Sequence, residues 1–417
     1  MPRVFFKTFG CRTNLFDTAV MRSNLQHFAI ASNEEEADII IVNSCTVTNA
    51  SDSGVRNYVR RAHTLGKKIF LTGCGATTQG KELFEQKLVF AVFSHALKEQ
   101  IDSLLQSAEP FCRLLPETAL DSTLVGDFVG KSRAFVKIQE GCDFACSYCI
   151  IPQVRGAARS FEPHTILEQI RLLASRGFSE FVLTGTNTGS YGRAKQDKDK
   201  PTLAHLIRKI AQIEGVRRIR IGSLEPSQID SELFELLGES FMAKHLHIAL
   251  QHTHNTMLEI MNRRNRFEND YEQLHAIARL GYAIGSDFIV GHPGETESIF
   301  AQALENLASL PLTHLHPFVY SPRNNTPSST LAQTISGDVA KARLHTLKQL
   351  VDSNNYQFRQ KLQAKGVALR VLVEGKDDSK NGLDQFFNRI HFKHMPVNVG
   401  DWVFVYNYQV KKEGNYA

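Results

Sequence analysis

Cys142, Cys146 and Cys149 lie in the run Glu140-Gly-Cys-Asp-Phe-Ala-Cys-Ser-Tyr-Cys149, a C-x3-C-x2-C spacing with Tyr148 just before the last thiol. Three thiolates so close together can wrap one metal centre, but they stop one ligand short of the four that close an iron–sulfur cube. A metal with an open position is suited to holding a substrate, by the logic that separates catalytic from structural zinc. A zinc loop is the competing reading. It requires a fourth Cys or His close by, and the next downstream histidine, His164, lies beyond Pro152 and the basic stretch of Arg155 and Arg159.

A second set of thiols is scattered along the chain. Cys11 follows Phe9-Gly, Cys45 follows Asn43-Ser, and Cys74 follows Thr72-Gly. Each closes a run that reads as a buried strand, and in a parallel sheet such strand ends converge on one crevice. Gly10, Gly73 and Gly75 leave backbone that a bulky group could approach. A single buried cysteine is commonly a small hydrophobe, but three at equivalent strand ends point to ligation. Cys112 fits neither set and reads as incidental.

The elements that must position these thiols follow from the apolar pattern. Val4-Phe-Phe-Lys-Thr-Phe9, Asp38-Ile-Ile-Ile-Val42, Lys68-Ile-Phe-Leu-Thr72 and Val89-Phe-Ala-Val-Phe93 read as strands, with helices near 14–29, 51–65 and 78–88 between them. That alternation predicts a parallel α/β domain over 1–107. Residues 108–132, rich in proline and glycine, read as a linker. Over 133–365 a longer alternation starts at Ala134-Phe-Val-Lys-Ile-Gln139. Strands are expected near 181–184, 218–221, 245–249, 285–290 and 314–319, and a last helix near 337–364. Six such units make a partial (β/α)6 barrel with its chemistry at the C-terminal strand ends, which is where the three-cysteine loop falls. From Gly366 to 417, period-two runs separated by turn residues predict a small antiparallel β-barrel.

At 417 residues, 42% of them hydrophobic, the chain should form two or three ordered domains. No apolar run approaches the roughly 18 residues needed to span a bilayer. Lys7 interrupts the apolar start and no cleavage site follows, so the expected location is cytoplasmic. An odd cysteine count of seven in a reducing compartment favours metal ligation over disulfides. A net charge of +5 tolerates a polyanionic partner without demanding one.

The three-cysteine loop resembles the signature of radical S-adenosylmethionine (SAM) enzymes, and with both sets in view the chain resembles the methylthiotransferases among them. These enzymes replace a C–H bond by C–S–CH3. The matching segments are Thr8-Phe-Gly-Cys-Arg-Thr-Asn14, Asn43-Ser-Cys-Thr-Val-Thr-Asn49, Gly141-Cys through Cys149-Ile-Ile-Pro152, Arg155-Gly156 and Asp287-Phe-Ile-Val-Gly-His-Pro-Gly-Glu-Thr296. The resemblance implies that Cys142, Cys146 and Cys149 hold a 4Fe–4S cluster whose open iron is chelated by SAM. One electron then breaks the sulfonium bond to release a 5′-deoxyadenosyl radical. It also implies that Cys11, Cys45 and Cys74 hold an auxiliary 4Fe–4S cluster carrying the sulfur to be inserted. Such chemistry fits an unactivated C–H bond, where the cofactor supplies reactivity and the protein positioning. The implied SAM contacts are Gly185 and Asn187 in Leu183-Thr-Gly-Thr-Asn187, Glu225 in Ile221-Gly-Ser-Leu-Glu225, Gln251, and Tyr148 against the adenine. No catalytic residue is assigned beyond the cluster ligands. Gln251 is followed by His252-Thr-His254 where relatives carry Ser-Gly-Ser, and those histidines read as solvated loop residues.

The same resemblance implies tRNA as partner, an electron donor, a sulfur source and an RNA-binding tail of the TRAM type. Arg56, Arg60 and Arg61 on one helix, and Arg263, Arg264 and Arg266 on another segment, read as solvated faces that could attract phosphates. Two details lean toward the branch acting on N6-threonylcarbamoyladenosine at tRNA position 37. They are Asn43–Asn49 with its following basic helix, and Ile219-Arg-Ile-Gly-Ser-Leu-Glu-Pro-Ser-Gln-Ile229. The alternatives are an isopentenyladenosine or ribosomal-protein substrate, or a zinc-holding RNA-binding protein. Arg155, Arg159 and Arg220 are candidates to receive the threonylcarbamoyl carboxylate.

Overall fold

The computed structural model describes residues 1–417 apart from 117, 118, 129, 195, 196, 198, 333, 334, 376–379 and 394. Its first sheet is wholly parallel, in the order β2-β1-β3-β4-β5-β6. The strands are β1 (Arg3–Thr8), β2 (Ala29–Ile30), β3 (Ile39–Ser44), β4 (Lys68–Gly73), β5 (Ala91–Phe93) and β6 (Phe111–Arg113). Every residue of β3 is buried, as an unbroken apolar run requires when helices cover both faces. Ile40 and Val42 pack with Val55, Val59 and Leu83 of helices α2 (Asn49–Thr64) and α3 (Cys74–Glu85). Ile39 and Ile41 face the other side, with Phe70, Phe93 and Ile101. Helix α1 (Arg12–Ser23) leaves this sheet and sends Phe16, Ala19 and Val20 into the core of the next domain. The short strands β2 and β6 had no sequence signal. β6 falls in the segment read as linker, where residues 117, 118 and 129 lie outside the described residues.

The central wall is built from β7 (Ala134–Glu140), β8 (Arg159–Ser160), β9 (Glu180–Gly185), β10 (Arg218–Ile221), β11 (His245–His247), β12 (Ala283–Val290) and β13 (Leu312–Val319). One sheet runs β10-β9-β7-β8 and another β11-β12-β13. Single bridges, Ile219 to Met242 and Leu224 to Ile248, join them across the gap. All six long strands are parallel, and only β8 runs against β7. The long closing helix spans Gly337–Ala364.

The C-terminal strands are β14 (Leu369–Glu374), β15 (Asn381–Leu383), β16 (Arg389–His391), β17 (Trp402–Val405), β18 (Gln409–Lys411) and β19 (Gly414–Tyr416). They form one curled sheet, β17-β14-β15-β16-β19-β18, antiparallel except where β19 joins β16. It curls into a half-barrel, the small antiparallel barrel expected from the sequence, with two edges. The edges are protected by docking. Trp402 Nε1 on β17 donates to Ser179 Oγ at 2.8 Å. Arg359 of the long helix donates to the carbonyls of Lys411 and Lys412 beside β18. At the base of the barrel Arg218 pairs with Glu180 and donates to the Arg370 and Leu383 carbonyls, and Arg220 donates to the Asp384 carbonyl. Among the described residues no helix is long and apolar enough to cross a membrane.

Candidate active site

Glu140 ends β7, and the chain then reverses at Gly141, whose φ is +73°. A Cβ there would lie 2.0 Å from the Ala157 carbonyl oxygen, so only glycine fits. The turn is held by Cys142 N donating to Gly156 O at 3.1 Å. Farther along, Ser147 N donates to Met261 O at 3.0 Å and Cys149 N to Cys146 O at 3.1 Å. Burial raises the Cys142 thiol and pushes the Cys149 thiol up to about 12, and the neighbouring Cys146 adds to both. A metal centre resolves that cost by taking the thiolates directly. Donors aimed at the sulfurs fit an iron–sulfur cluster: Phe144 N and Asn187 Nδ2 reach Cys142 Sγ at 3.4 and 3.5 Å, and Arg263 reaches Cys146 Sγ at 3.7 Å.

Beside Cys146 lies a cavity of about 210 Å³ lined by Asp143, Phe144, Glu225, Asn262, Arg263 and Arg264. Glu225 pairs in it with Arg263, and the Arg264 guanidinium sits 3.9 Å above the Phe144 ring. Arg263, read from sequence as a solvated cation, is 5% exposed and belongs to this cavity instead. Asn187 is placed by its backbone N–H, which donates to Gln139 Oε1 at 2.8 Å. Gly185 has no room to spare: a Cβ would meet the Gln139 carbonyl at 2.8 Å, so it serves the close approach of β9 to β7. Gln251 holds φ +67° at the end of β11's crossover and bonds Asp287 and Ile289 through its backbone. Tyr148 packs with Met257, Met261, Ile289 and Tyr320, so its ring seals the apolar side of the loop. His252 is not solvated. It is fully buried against Glu295, which also receives Arg343.

Cys11, Cys45 and Cys74 come together at the ends of β1, β3 and β4. Their glycines work differently from the sequence expectation. Gly10, at φ +95°, leaves space filled by Cys45 itself, whose Cβ would be 2.7 Å from an added Cβ. Gly73, at φ +93°, abuts the Ser44 backbone. The glycines therefore pull the strand ends together, so that the thiols meet. Cys74 is pushed up to about 12 by burial and by the neighbouring Cys11 and Cys45 thiols, against the pull of Arg155.

Arg155 ties Cys74 to the end of the strand that carries the three-cysteine loop. Its Nε donates to Cys74 Sγ at 3.2 Å, and its other nitrogens reach Asp17 at 2.9 Å, Glu140 at 3.0 Å and Asn14 Oδ1 at 2.5 Å. Lys137 joins Asp17, Asp121 and Glu140 at 2.6–2.7 Å, and His95 bridges Asp17 and Cys74. All of these charges are buried. Against the burial that would raise them, Lys137 and Arg155 hold the Asp17 and Glu140 carboxyls well below the usual range. Sequence reading missed this network, although Lys137, Gln139 and Glu140 in an otherwise apolar strand were its signal. Arg155 is thus committed to structure, and Arg220 lies at the barrel's base. Of the candidate carboxylate receptors only Arg159 remains, partly exposed and bonded to the Arg155 and Ala157 carbonyls. On the basic helix, Arg56 bonds Gln79 and Ser53, and Arg61 pairs with Glu34.

Residues 3–94 match the uncharacterized protein family UPF0004, and residues 136–307 match the radical SAM superfamily. A protein of Helicobacter pylori named "Putative methylthiotransferase" is 54% identical over the full length of both chains. Aquifex aeolicus "Threonylcarbamoyladenosine tRNA methylthiotransferase MtaB" is 33% identical over 92% of this chain and 96% of its own. Francisella philomiragia "tRNA-2-methylthio-N(6)-dimethylallyladenosine synthase" is 32% identical over 90% and 89%. Among solved structures, the radical SAM methyltransferase TsrM of Kitasatospora setae shares the fold, with a TM-score of 0.58 and 13% identity over 79% of this chain and 75% of that one. The chain belongs to the methylthiotransferases of the radical SAM superfamily. Its cofactors are those of the family, SAM and two 4Fe–4S clusters.

Proposed function

We propose that this enzyme transfers a methylthio group to C2 of N6-threonylcarbamoyladenosine at position 37 of tRNA, in the cytoplasm. In this reading Cys142, Cys146 and Cys149 hold the SAM-binding cluster, and Cys11, Cys45 and Cys74 hold the auxiliary one. The auxiliary-cluster domain, expected over 1–107, extends to the β6 strand at 111–113, 133–365 form the barrel and 366–417 the tail. The observation that carries the reading is a pair of three-thiol sets, each one ligand short of a closed cluster, with Arg155 tying Cys74 of one to Glu140, two residues before Cys142 of the other. When bound, SAM and the clusters supply the hydrogen-abstracting power and the sulfur.

The chain's own residues supply order and dryness. Asn187, Phe144 N–H and Arg263 orient the thiolates of one set, and Tyr148 with Met257 and Met261 excludes water from the loop. Asn187, Glu225 and Gln251 are the polar groups set to contact SAM. The Glu225–Arg263 pair offers a carboxylate and a guanidinium to an amino-acid-like group entering beside Cys146. Arg155 and His95 hold Cys74 in place from the protein side. An electron donor and a sulfur source complete the reaction.

The threonylcarbamoyl substrate is supported by relatives of that name along most of the chain. Arg159 supports it as well, as the partly exposed guanidinium among the three candidates. The dimethylallyl substrate is the second reading, favoured by the similar identity to the enzyme of that name. Mass spectrometry of tRNA nucleosides from a strain lacking this gene tests the choice. The methylthio derivative of threonylcarbamoyladenosine should vanish while its unthiolated precursor accumulates. Loss of the methylthio isopentenyl derivative instead would move the enzyme to the second branch.

A further inference from the structure

The inner face of β11, β12 and β13 carries a donor cluster that neither cysteine set uses. In the parallel register Asp287 pairs directly with His316, and His247 pairs with Gly285, two residues before Asp287 and so on the same face. His247 Nε2 lies 3.1 Å from one Asp287 oxygen, and His316 Nδ1 lies 3.6 Å from the other. One donor atom from each of the three residues falls within 4.8 Å of the others. The two imidazoles stack, with centroids 5.2 Å apart and planes at 24°. Gly285 makes the arrangement possible, because a Cβ there would stand 3.1 Å from His247 Nδ1 and 3.2 Å from His245 Nε2.

Below this cluster the barrel is closed. His245 and His314 meet edge to face at 5.1 Å, and Phe387 of the C-terminal sheet stacks on His245 at 4.8 Å. That lower pair is sealed packing. The upper cluster is open: the His316 side chain is 58% exposed, Asp287 22% and His247 12%. An ion can therefore arrive from solvent without any element moving.

We propose that His247, Asp287 and His316 form a site for a divalent first-row transition ion, separate from both iron–sulfur centres. Two imidazoles and one carboxylate are the donor set of three-ligand zinc sites and of facial non-haem iron sites. Metal–ligand bonds of about 2.0–2.2 Å put neighbouring donors about 3–3.6 Å apart, and the two separations across Asp287 match. Each imidazole faces its own Asp287 oxygen, and a dication between them is satisfied by the carboxylate with both rings in their neutral form. Three protein ligands leave at least one position for water or for an oxygen donor from a substrate. This inference goes beyond the substrate assignment and does not depend on it.

The test uses the full-length holoenzyme with both clusters reconstituted, so that the cysteines are occupied, exposed to Zn²⁺ alone and then desalted. About one zinc per chain should be retained, and its X-ray absorption fine structure should show nitrogen and oxygen scatterers with imidazole and no sulfur near 2.3 Å. Asp287→Asn and His316→Ala should each weaken zinc binding by at least about tenfold while leaving iron and sulfide content unchanged. Should Asp287→Asn fail to fold, seen as lost iron, the exposed His316→Ala variant decides alone. No retained zinc, sulfur in the zinc shell, or zinc affinity indifferent to His316→Ala would each overturn the site.

Discussion

Arg155 holds four buried partners, Cys74, Asp17, Glu140 and Asn14, with one guanidinium. It neutralises Asp17 and Glu140 while donating to Cys74, and all of these groups are buried. Arg155→Met would strand two carboxylates that Lys137 alone must then balance, and breaking a buried pair of this kind costs about 3–5 kcal/mol. The variant should lose that much stability in urea titrations and should bind less iron. Arg155→Lys keeps the charge but not the forked geometry, so it should recover stability more fully than auxiliary-cluster binding. A second residue sets a pH dependence. Burial pushes the Asp270 carboxyl up to about 7, against the 2.7 Å bond from Asn265. An acid with a raised folded-state value contributes stability that is complete below its unfolded value, near 4, and drains away as pH climbs through about 7. The slope in that window is up to roughly 1.4 kcal/mol per pH unit. Asp270→Asn removes this loss, so its stability relative to wild type should improve between pH 5 and pH 8, and a constant difference would remove Asp270 as the cause. The cysteines were legible in the sequence because residue type and spacing state their chemistry locally. Arg155 and Asp17 were not, because 138 positions separate them and a buried ion pair leaves no periodic trace.

At the scale of elements, the long strands could be read because each is an apolar run bounded by glycine or a polar turn, as in Ile39–Ser44 and Lys68–Gly73. The strands that escaped are two or three residues long: Ala29–Ile30, Phe111–Arg113, Arg159–Ser160, Asn381–Leu383, Gln409–Lys411 and Gly414–Tyr416. They exist only because a neighbouring strand accepts them, and such pairing is invisible in a short window. The helix Ile151–Arg155 shows how elements couple the two thiol sets. It follows Cys149 directly, and Ile150 and Val154 pack on Cys74. Replacing Cys142, Cys146 and Cys149 by Ala should leave about half the iron and abolish SAM cleavage. The Cys11, Cys45 and Cys74 triple variant should keep SAM cleavage and lose methylthiolation, because Arg155 retains Asp17 and Glu140 as partners and still anchors its helix. Full iron in that second variant would show that the N-terminal thiols hold no cluster.

Across the whole molecule, the C-terminal sheet is a clamp on the barrel, and its free face is the place to test for RNA binding. Arg218, Arg220 and Trp402 fasten it to the barrel's base, and its core includes Ala283 of the barrel and packs on Phe358 of the long helix. Removing residues 366–417 would therefore uncover barrel residues, so a loss of tRNA binding on that deletion confounds binding with folding. Point substitutions separate the two. Along β17 the period-two alternation turns Val403 and Val405 to the core, and Trp402, Phe404 and Tyr406 to the other face. Trp402 docks on the barrel, whereas Phe404 and Tyr406 remain 57% and 68% exposed. Arg370 lies in register beside Phe404 on the neighbouring strand. Exposed aromatics interleaved with a guanidinium make a stacking platform for unpaired bases, each stacked base contributing about 1–3 kcal/mol. Phe404→Ala and Tyr406→Ala should each weaken tRNA binding within that range, with unfolding midpoints and RNA-free SAM cleavage unaltered. Arg370→Ala should instead flatten the salt dependence of binding, since a lost phosphate contact removes about one released counterion from the slope. Filter-binding titrations across a salt series measure both effects. If the aromatic variants bind tRNA as wild type does at every salt concentration, the tail acts only as a clamp, and the phosphate contacts belong to the helix carrying Arg56, Arg60 and Arg61.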